Sequence, residues 1–169
     1  MAVFHETIGS FEELLLLELR DLYDAERRWS DALPKVAGAV TDAQLKRILG
    51  QQHQETQQHI ERLDRVFSAL NHKAERHTCQ AMKGLVKEAE ELINADADAD
   101  LRDAALIGAA QRVEHYQMAG YGMSRALAQR LGRDDVAAML QQTLDEEHAA
   151  DAQLTEVAET SVNLHAVMH

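Results

Sequence analysis

Four long segments of the sequence repeat apolar residues every three or four positions, and a glutamate interrupts each repeat. This spacing places residues on one face of an α-helix. The interrupting glutamates are Glu26, Glu55, Glu114 and Glu147. An unpaired charge on an apolar face is very costly, so such a side chain needs a cation, a hydrogen-bond partner or a proton. The chain is therefore constrained to a helical fold in which four carboxylates can meet.

The composition also favours an all-α fold. The sequence has a single proline, Pro34, and only 4% aromatic residues. It is rich in good helix formers, and it lacks the runs of β-branched residues that are typical of strands. A chain of 169 residues is long enough to bury a proper core, and we expect one domain over residues 1–169.

Apolar periodicity and capping residues predict five helices. They cover about residues 10–40, 43–70, 79–94, 101–131 and 135–162, which leaves residues 163–169 as a tail. Ser10 and Glu13 match a capping box, and Gly132 is placed to end the fourth helix. Two long helices, one short helix and two more long helices are typical of a ferritin-like four-helix bundle. In that fold two antiparallel helix hairpins are joined by one long crossover.

Charge and cysteine content exclude several classes of function. The net charge of -12 argues against a nucleic-acid partner, because phosphate binding needs a basic surface. No apolar run in the sequence approaches the length of roughly 20 residues that is needed to span a bilayer. Residues 1–10 lack a basic region followed by an apolar core, so we expect no signal peptide there. Cys79 cannot form an internal disulfide, which favours a reducing compartment. These features predict a cytoplasmic protein without a membrane partner.

Two of the four glutamates have a second metal-binding residue four positions later. His59 follows Glu55, and Asp151 follows Glu147. Di-iron and di-manganese bundles take one glutamate from each of two helices and a Glu-x-x-His pair from each of the other two. Carboxylate and imidazole ligands suit Fe and Mn. The sequence predicts two Fe or Mn ions per chain, bound by Glu26, Glu55, His59, Glu114, Glu147 and Asp151.

The ligand spacing departs from that pattern. Gln58 and Ala150 occupy the positions three residues after Glu55 and Glu147, so the second ligands fall at i+4, which still shares a helix face. Whether Gln58 or His115 joins the metal site is left open. Glu146 and His148 flank Glu147, and we expect both to face solvent.

Three segments resemble a known family. They are AALIGAAQRVEHYQMAGYG (residues 104–122), CQAMKGLVKEAEELI (79–93) and LQQTLDEEHAADAQLTEVA (140–158). They are similar to the YciE/YciF family of ferritin-like bacterial proteins. The resemblance implies a helical bundle, a frequent homodimer, a rubrerythrin-like metal site and an association with bacterial stress responses.

Two hypotheses of function follow. In the first, the chain is a dinuclear-metal stress protein that carries out redox chemistry on peroxide or oxygen, as a peroxidase, catalase or ferroxidase does. In the alternative, it is a non-enzymatic, dimeric stress protein whose metal site is structural or degenerate. The leucine run at residues 14–17 widens the apolar surface of the first helix and predicts a homodimer interface.

Overall fold

The computed structural model describes residues 8–168, which contain helices and no strand. The helices are α1 (Phe11–Ala39), α2 (Ala43–Ala69), α3 (Gln80–Ile93), α4 (Ala99–Arg130), α5 (Asp134–Val157) and α6 (Asn163–Ala166), with a π-helical turn (Ala158–Val162) between the last two. The all-α prediction is confirmed. No helix in this part of the chain is long and apolar enough to cross a membrane.

Within residues 8–168, the apolar core forms two clusters at opposite ends of the bundle. The first cluster includes Leu33, Leu45, Leu106 and Leu154. The second cluster includes Leu19, Leu63, Ala128 and Val136. The first therefore joins the ends of α1 and α5 to the starts of α2 and α4, so α2 and α4 run parallel and α1 and α5 run the other way. The connection from α2 to α4 must span the bundle, and it contains α3. This is the predicted ferritin-like arrangement.

The expected glutamates lie where one cluster gives way to the other. On α1, Tyr23 belongs to the second cluster and Ala25 to the first, directly before Glu26. On α4, Val113 belongs to the first cluster and Tyr121 to the second, with Glu114 between them. The bundle is thus divided into two apolar halves by a polar layer near its middle.

The helix ends follow the capping residues seen in the sequence. The Glu13 backbone N–H donates to Ser10 Oγ at 3.1 Å, and Gly132 has a φ of 69°, which favours glycine. Asp42 caps α2 by accepting from two backbone N–H groups. These short-range contacts fix where the helices begin and end.

The observed helices differ from the predicted ones at three places. The predicted fifth helix, 135–162, ends as an α-helix at Val157, and its last five residues form the π-helical turn Ala158–Val162. α4 begins at Ala99, two residues earlier than predicted, and Asp100 lies in its first turn, where the helix dipole favours an acid. Residues 163–166 of the predicted tail form α6. Residues 1–7 and 169 lie outside the described residues, and so do the parts of the signal-peptide and tail predictions that concern them.

A buried carboxylate on α1 fixes the start of the crossover helix. Asp24 is 2% exposed and accepts from the Cys79 backbone N–H at 2.9 Å. It also accepts from Arg28 Nε at 2.5 Å and Arg76 Nε at 2.8 Å. Burial opposes ionisation, but these donors outweigh it and lower the pKa of Asp24. The segment before α3 is therefore tied to the bundle by charged hydrogen bonds.

Candidate metal centre

Three buried side chains from different helices meet in the polar layer. Glu26 comes from α1, His59 from α2 and Glu147 from α5, and they are 0%, 3% and 3% exposed. His59 Nδ1 lies 3.4 Å from Glu26 Oε1 and 3.2 Å from Glu147 Oε1. One ligand atom from each residue falls within 4.8 Å of the other two. We call these three residues the triad.

A buried tyrosine supports the triad from α4. Tyr121 Oη donates to Glu26 Oε1 at 2.6 Å, and its ring stands edge-on to the His59 ring with centroids 6.4 Å apart. Tyr121 follows Glu114 by seven positions, a spacing that shares a helix face, and it is completely buried. The hydrogen bond restricts the Glu26 carboxylate and leaves its other oxygen toward the interior.

Several polar atoms of this layer have no hydrogen-bond partner among the described residues. Four of them belong to predicted metal ligands, namely Glu26 Oε2, His59 Nδ1, Glu114 Oε2 and Glu147 Oε1, and the amide groups of Gln52 and Gln117 are also without partners. The contacts of His59 with the two triad carboxylates meet ion-pair distances without hydrogen-bond geometry. Buried polar atoms are nearly always satisfied, so a group of unsatisfied polar atoms indicates a missing partner. Carboxylate oxygens and an imidazole nitrogen are a ligand set suited to Fe or Mn, and these residues fit such a cation.

The charges of the site also favour a bound cation. Burial raises the pKa of Glu26, and burial together with the charge of Glu147 raises the pKa of Glu114 well above its usual value. Burial disfavours the charged form of His59, but Glu26 and Glu147 outweigh it and raise its pKa to about 11. The buried carboxyl groups of Glu26, Glu114 and Glu147 thus outnumber the imidazole that faces them, and protons or a cation would offset the excess negative charge.

The other predicted ligands lie around the triad. Glu114 is 2% exposed and faces Glu147, whereas Glu55 is half-buried, and burial raises its pKa. Asp151 Oδ1 accepts from Gln111 Nε2 at 3.0 Å and lies 3.3 Å from His115 Nε2. Their roles as ligands stay predictions.

The two residues left open in the sequence both lie at the surface. Gln58 is exposed, and the His115 side chain is 65% exposed. His115 contacts Asp151 and takes no part in the triad, so neither residue belongs to the three-residue group.

Two polar residues beside the site were missed in the sequence. Glu146, which we expected to face solvent, contacts His59 and Arg62, so that prediction was wrong. His148 is exposed, as expected. Arg62 is 4% exposed and follows His59 by three positions, a spacing that marks a shared helix face. That spacing was the available signal for Arg62. For Glu146 the only signal was its place next to Glu147.

Comparisons with known proteins agree with this fold. The sequence model of a family described as "Domain of unknown function (DUF892)" matches residues 10–167. The chain is 42% identical to protein YciF of Escherichia coli K12 over 155 residues, which cover 91% of this chain and 93% of YciF. The residues matched by the family model include all the helices described above.

Two solved structures are similar throughout their length. The crystal structure of the E. coli stress protein YciF matches with a TM-score of 0.89 and 41% identity, covering 92% of this chain and 99% of that one. YcfI from Rhodopseudomonas palustris matches with a TM-score of 0.87 and 43% identity, covering 90% and 97%. The bundle with its crossover helix is thus shared by experimentally determined structures.

Proposed function

The chain belongs to the DUF892 family, and we propose that it binds Fe or Mn at the triad and uses the metal in redox chemistry on peroxide or oxygen. The observation that carries this proposal is the set of unsatisfied buried atoms on Glu26, His59 and Glu147. A divalent cation would satisfy them and offset the excess negative charge. E. coli YciF is described as a stress protein, and we extend a stress role to this chain.

We further propose two ions per chain, with the second one on the Glu114 side of the layer. The triad provides one nitrogen and at least two oxygens for the first ion. Glu114 has an unsatisfied Oε2 and faces Glu147, which supports Glu114 and Glu147 as residues that would hold the second ion. Glu55 and Asp151 lie at the margin of the layer and would complete the second site.

The metal would supply the change of oxidation state, and the chain's own residues would control the surroundings. The two apolar clusters close the polar layer from both ends and limit access of water. Tyr121 holds one oxygen of Glu26, so the other oxygen keeps a defined direction. Without metal, the raised pKa values favour the protonated forms of Glu26 and Glu114, and a bound cation would favour their ionised forms instead.

The alternative is a non-enzymatic stress protein in which the site is structural or degenerate. It is favoured by the ion-pair contacts of His59 with Glu26 and Glu147, because a protonated imidazole already offsets part of the charge. YcfI has also been proposed to be a structural protein. In this alternative, protons and hydrogen bonds would maintain the layer without metal.

Under both alternatives we propose a homodimer formed through the start of α1. Ile8 and Phe11 are 51% and 60% exposed, and Leu14 and Leu17 next to them are only partly buried. An apolar patch of this kind is typical of a protein interface. Sedimentation of the wild type and of Phe11→Glu tests this proposal, since the variant is expected to be monomeric.

Metal analysis of protein purified without chelator tests the main proposal. We expect about two Fe or Mn ions per chain, located by anomalous scattering at the two absorption edges. Glu147→Gln should lose the metal and peroxide turnover, whereas Glu88→Gln, an exposed site on α3, should keep both. A folded wild type that holds no metal and gains no thermal stability from Fe²⁺ or Mn²⁺ would favour the alternative.

A further inference from the structure

The two ring nitrogens of His59 face different surroundings. Nδ1 points to the carboxylates of Glu26 and Glu147, and Nε2 lies 2.9 Å from Glu146 Oε2. An ionised carboxylate can only accept a hydrogen bond, so the proton on this side must sit on Nε2. When an imidazole binds a metal, one nitrogen gives its lone pair while the other keeps its proton. The contact with Glu146 therefore keeps the proton on Nε2, so Nδ1 is the nitrogen that would give up its proton to a metal at the triad.

Glu146 is itself held in place by a buried arginine. Arg62 Nη1 donates to Glu146 Oε2 at 2.6 Å, and Nη2 donates to Oε1 at 3.0 Å. Gln142 Nε2 donates to Oε1 at 3.0 Å, and Arg62 Nη1 also contacts Thr143 Oγ1 at 2.5 Å. The Arg62 side chain is only 5% exposed. A paired arginine and carboxylate with two donors on each oxygen form a rigid support.

Saturation of both oxygens separates Glu146 from the metal ligands. Oε2 accepts from His59 and Arg62, and Oε1 accepts from Arg62 and Gln142. Little acceptor capacity remains for a cation. The adjacent Glu147, by contrast, keeps an unsatisfied oxygen in the interior. Two consecutive glutamates on α5 thus have different surroundings, one directed to the triad and one to the back of His59.

Given the metal binding proposed above, we propose that Glu146, anchored by Arg62, is the positioning residue that orients His59 for metal coordination. Partners behind a metal-binding histidine fix its tautomer and ring orientation, and their loss typically lowers metal affinity by about 10–100-fold. Glu146 acts through His59 and does not touch the metal. The order of contacts is Arg62 to Glu146, Glu146 to His59, and His59 to the ion.

Calorimetric titration with Mn²⁺ tests this proposal in the full-length chain. We expect Glu146→Ala to bind Mn²⁺ about 10–100-fold more weakly than the wild type. Glu156→Ala is the matched control, because it removes the same charge from an exposed position on the same helix. The control should bind within about twofold of the wild type. Equal weakening in both variants would show that only net charge matters and would overturn the proposal.

Nuclear magnetic resonance of ¹⁵N-histidine gives a readout that a purely structural role would not change. In the wild type we expect a slowly exchanging proton on His59 Nε2, with and without Zn²⁺ as a diamagnetic probe. In Glu146→Ala this proton should exchange rapidly. Glu146→Gln retains an oxygen that can accept from Nε2, so it should restore the slow proton and part of the Mn²⁺ affinity. Circular dichroism confirms that each variant is folded.

The outcomes separate this proposal from the proposed function. A wild type that binds no Mn²⁺ would overturn the proposed function and the positioning role together. A wild type that binds Mn²⁺, with Glu146→Ala binding equally well, would overturn the positioning role alone. A slowly exchanging Nε2 proton that persists in Glu146→Ala would also contradict it, since another acceptor would then hold His59.

Discussion

Tyr121 and Glu26 share a hydrogen bond of 2.6 Å although both side chains are completely buried. Tyr121→Phe removes the hydroxyl and leaves Glu26 Oε1 without this donor in an apolar setting. We expect the free energy of unfolding of the metal-free protein to fall by about 1–3 kcal/mol, the cost of an unsatisfied buried group. Urea denaturation measures it.

A double-mutant cycle with Glu26→Gln separates the bond from other effects of the ring. The hydroxyl has no other hydrogen-bond partner among the described residues, so the loss in Tyr121→Phe should depend on the residue at position 26. Purely additive effects of Tyr121→Phe and Glu26→Gln would mean that the bond does not stabilise the fold.

The close approach of α4 to α1 gives a second prediction. A Cβ atom at Gly120 would lie 2.7 Å from Leu22 Cδ2 and 3.2 Å from Leu22 Cγ, and Leu22 is buried. Gly120→Ala should therefore destabilise the protein by about 1–3 kcal/mol through overpacking. Gly122→Ala on the same helix has nothing within 4 Å and should stabilise it by up to about 1 kcal/mol. Thermal denaturation of both variants checks the opposite signs.

The buried Glu114 is expected to destabilise the folded protein when no metal is bound. Its raised pKa reflects burial and the charge of Glu147, so its ionised form opposes folding at neutral pH. Glu114→Gln should raise the free energy of unfolding of the metal-free protein by about 1–2 kcal/mol. Each kcal/mol corresponds to an increase of roughly 2–4 °C in Tm. Differential scanning calorimetry measures this.

With saturating Mn²⁺ the order of stability of wild type and Glu114→Gln should reverse, because a ligand that binds only the folded state stabilises it more when it binds more tightly. Wild type should then melt above Glu114→Gln. The exposed Glu88→Gln should follow the wild type under both conditions. If Glu114→Gln stays the more stable protein in excess Mn²⁺, Glu114 is not a metal ligand.

Helical periodicity predicted the fold and the burial of three of the four glutamates because burial follows the helix face closely. Glu26, Glu114 and Glu147 are each at most 3% exposed. On α2 the periodicity was ambiguous by one position. Thr56 is buried where the pattern placed Glu55, which is only half-buried.

Contacts between helices could not be predicted in the same way. The pairing of Arg62 with Glu146 depends on the rotation and spacing of α2 against α5, which a pattern along one helix does not contain. A glutamate next to a buried glutamate is expected at the surface on spacing alone. The position of the buried arginine explains why the Glu146 carboxylate contacts Arg62 and His59.

Asp24 gives a prediction for acid stability. Its pKa is lowered, so its contribution to stability is present above the unfolded-state pKa of about 3.9 and is lost as the pH falls through the lower folded-state value. Asp24→Asn should cost about 1–3 kcal/mol at pH 7, since hydrogen bonds to a charged group are lost. The difference from wild type should shrink below about pH 4.

Urea denaturation at pH 7 and pH 3 measures this change. Asp31→Asn, at an exposed position on the same helix, is the control and should have little effect at either pH. A cost for Asp24→Asn that is independent of pH would show that its contacts with Arg28, Arg76 and Cys79 do not depend on charge.

Proton release on metal binding follows from the position of His59 in the triad. The raised pKa of about 11 means that the ring is protonated at neutral pH in the metal-free protein. In that state its ion pairs stabilise the fold fully below the unfolded-state pKa of about 6.5, and this stabilisation is lost as the pH rises through about 11. A cation that takes the Nδ1 lone pair must displace a proton, so Mn²⁺ affinity should rise by about tenfold per pH unit between pH 6.5 and 9.

Calorimetry in two buffers with different ionisation enthalpies counts the protons. We expect the wild type to release at least one proton for each ion bound at the triad, and His59→Gln to release one proton fewer. His53→Gln, a change on the same helix outside the triad, should release as many protons as the wild type. A binding enthalpy that does not depend on the buffer would show that Nδ1 is not where the ion binds.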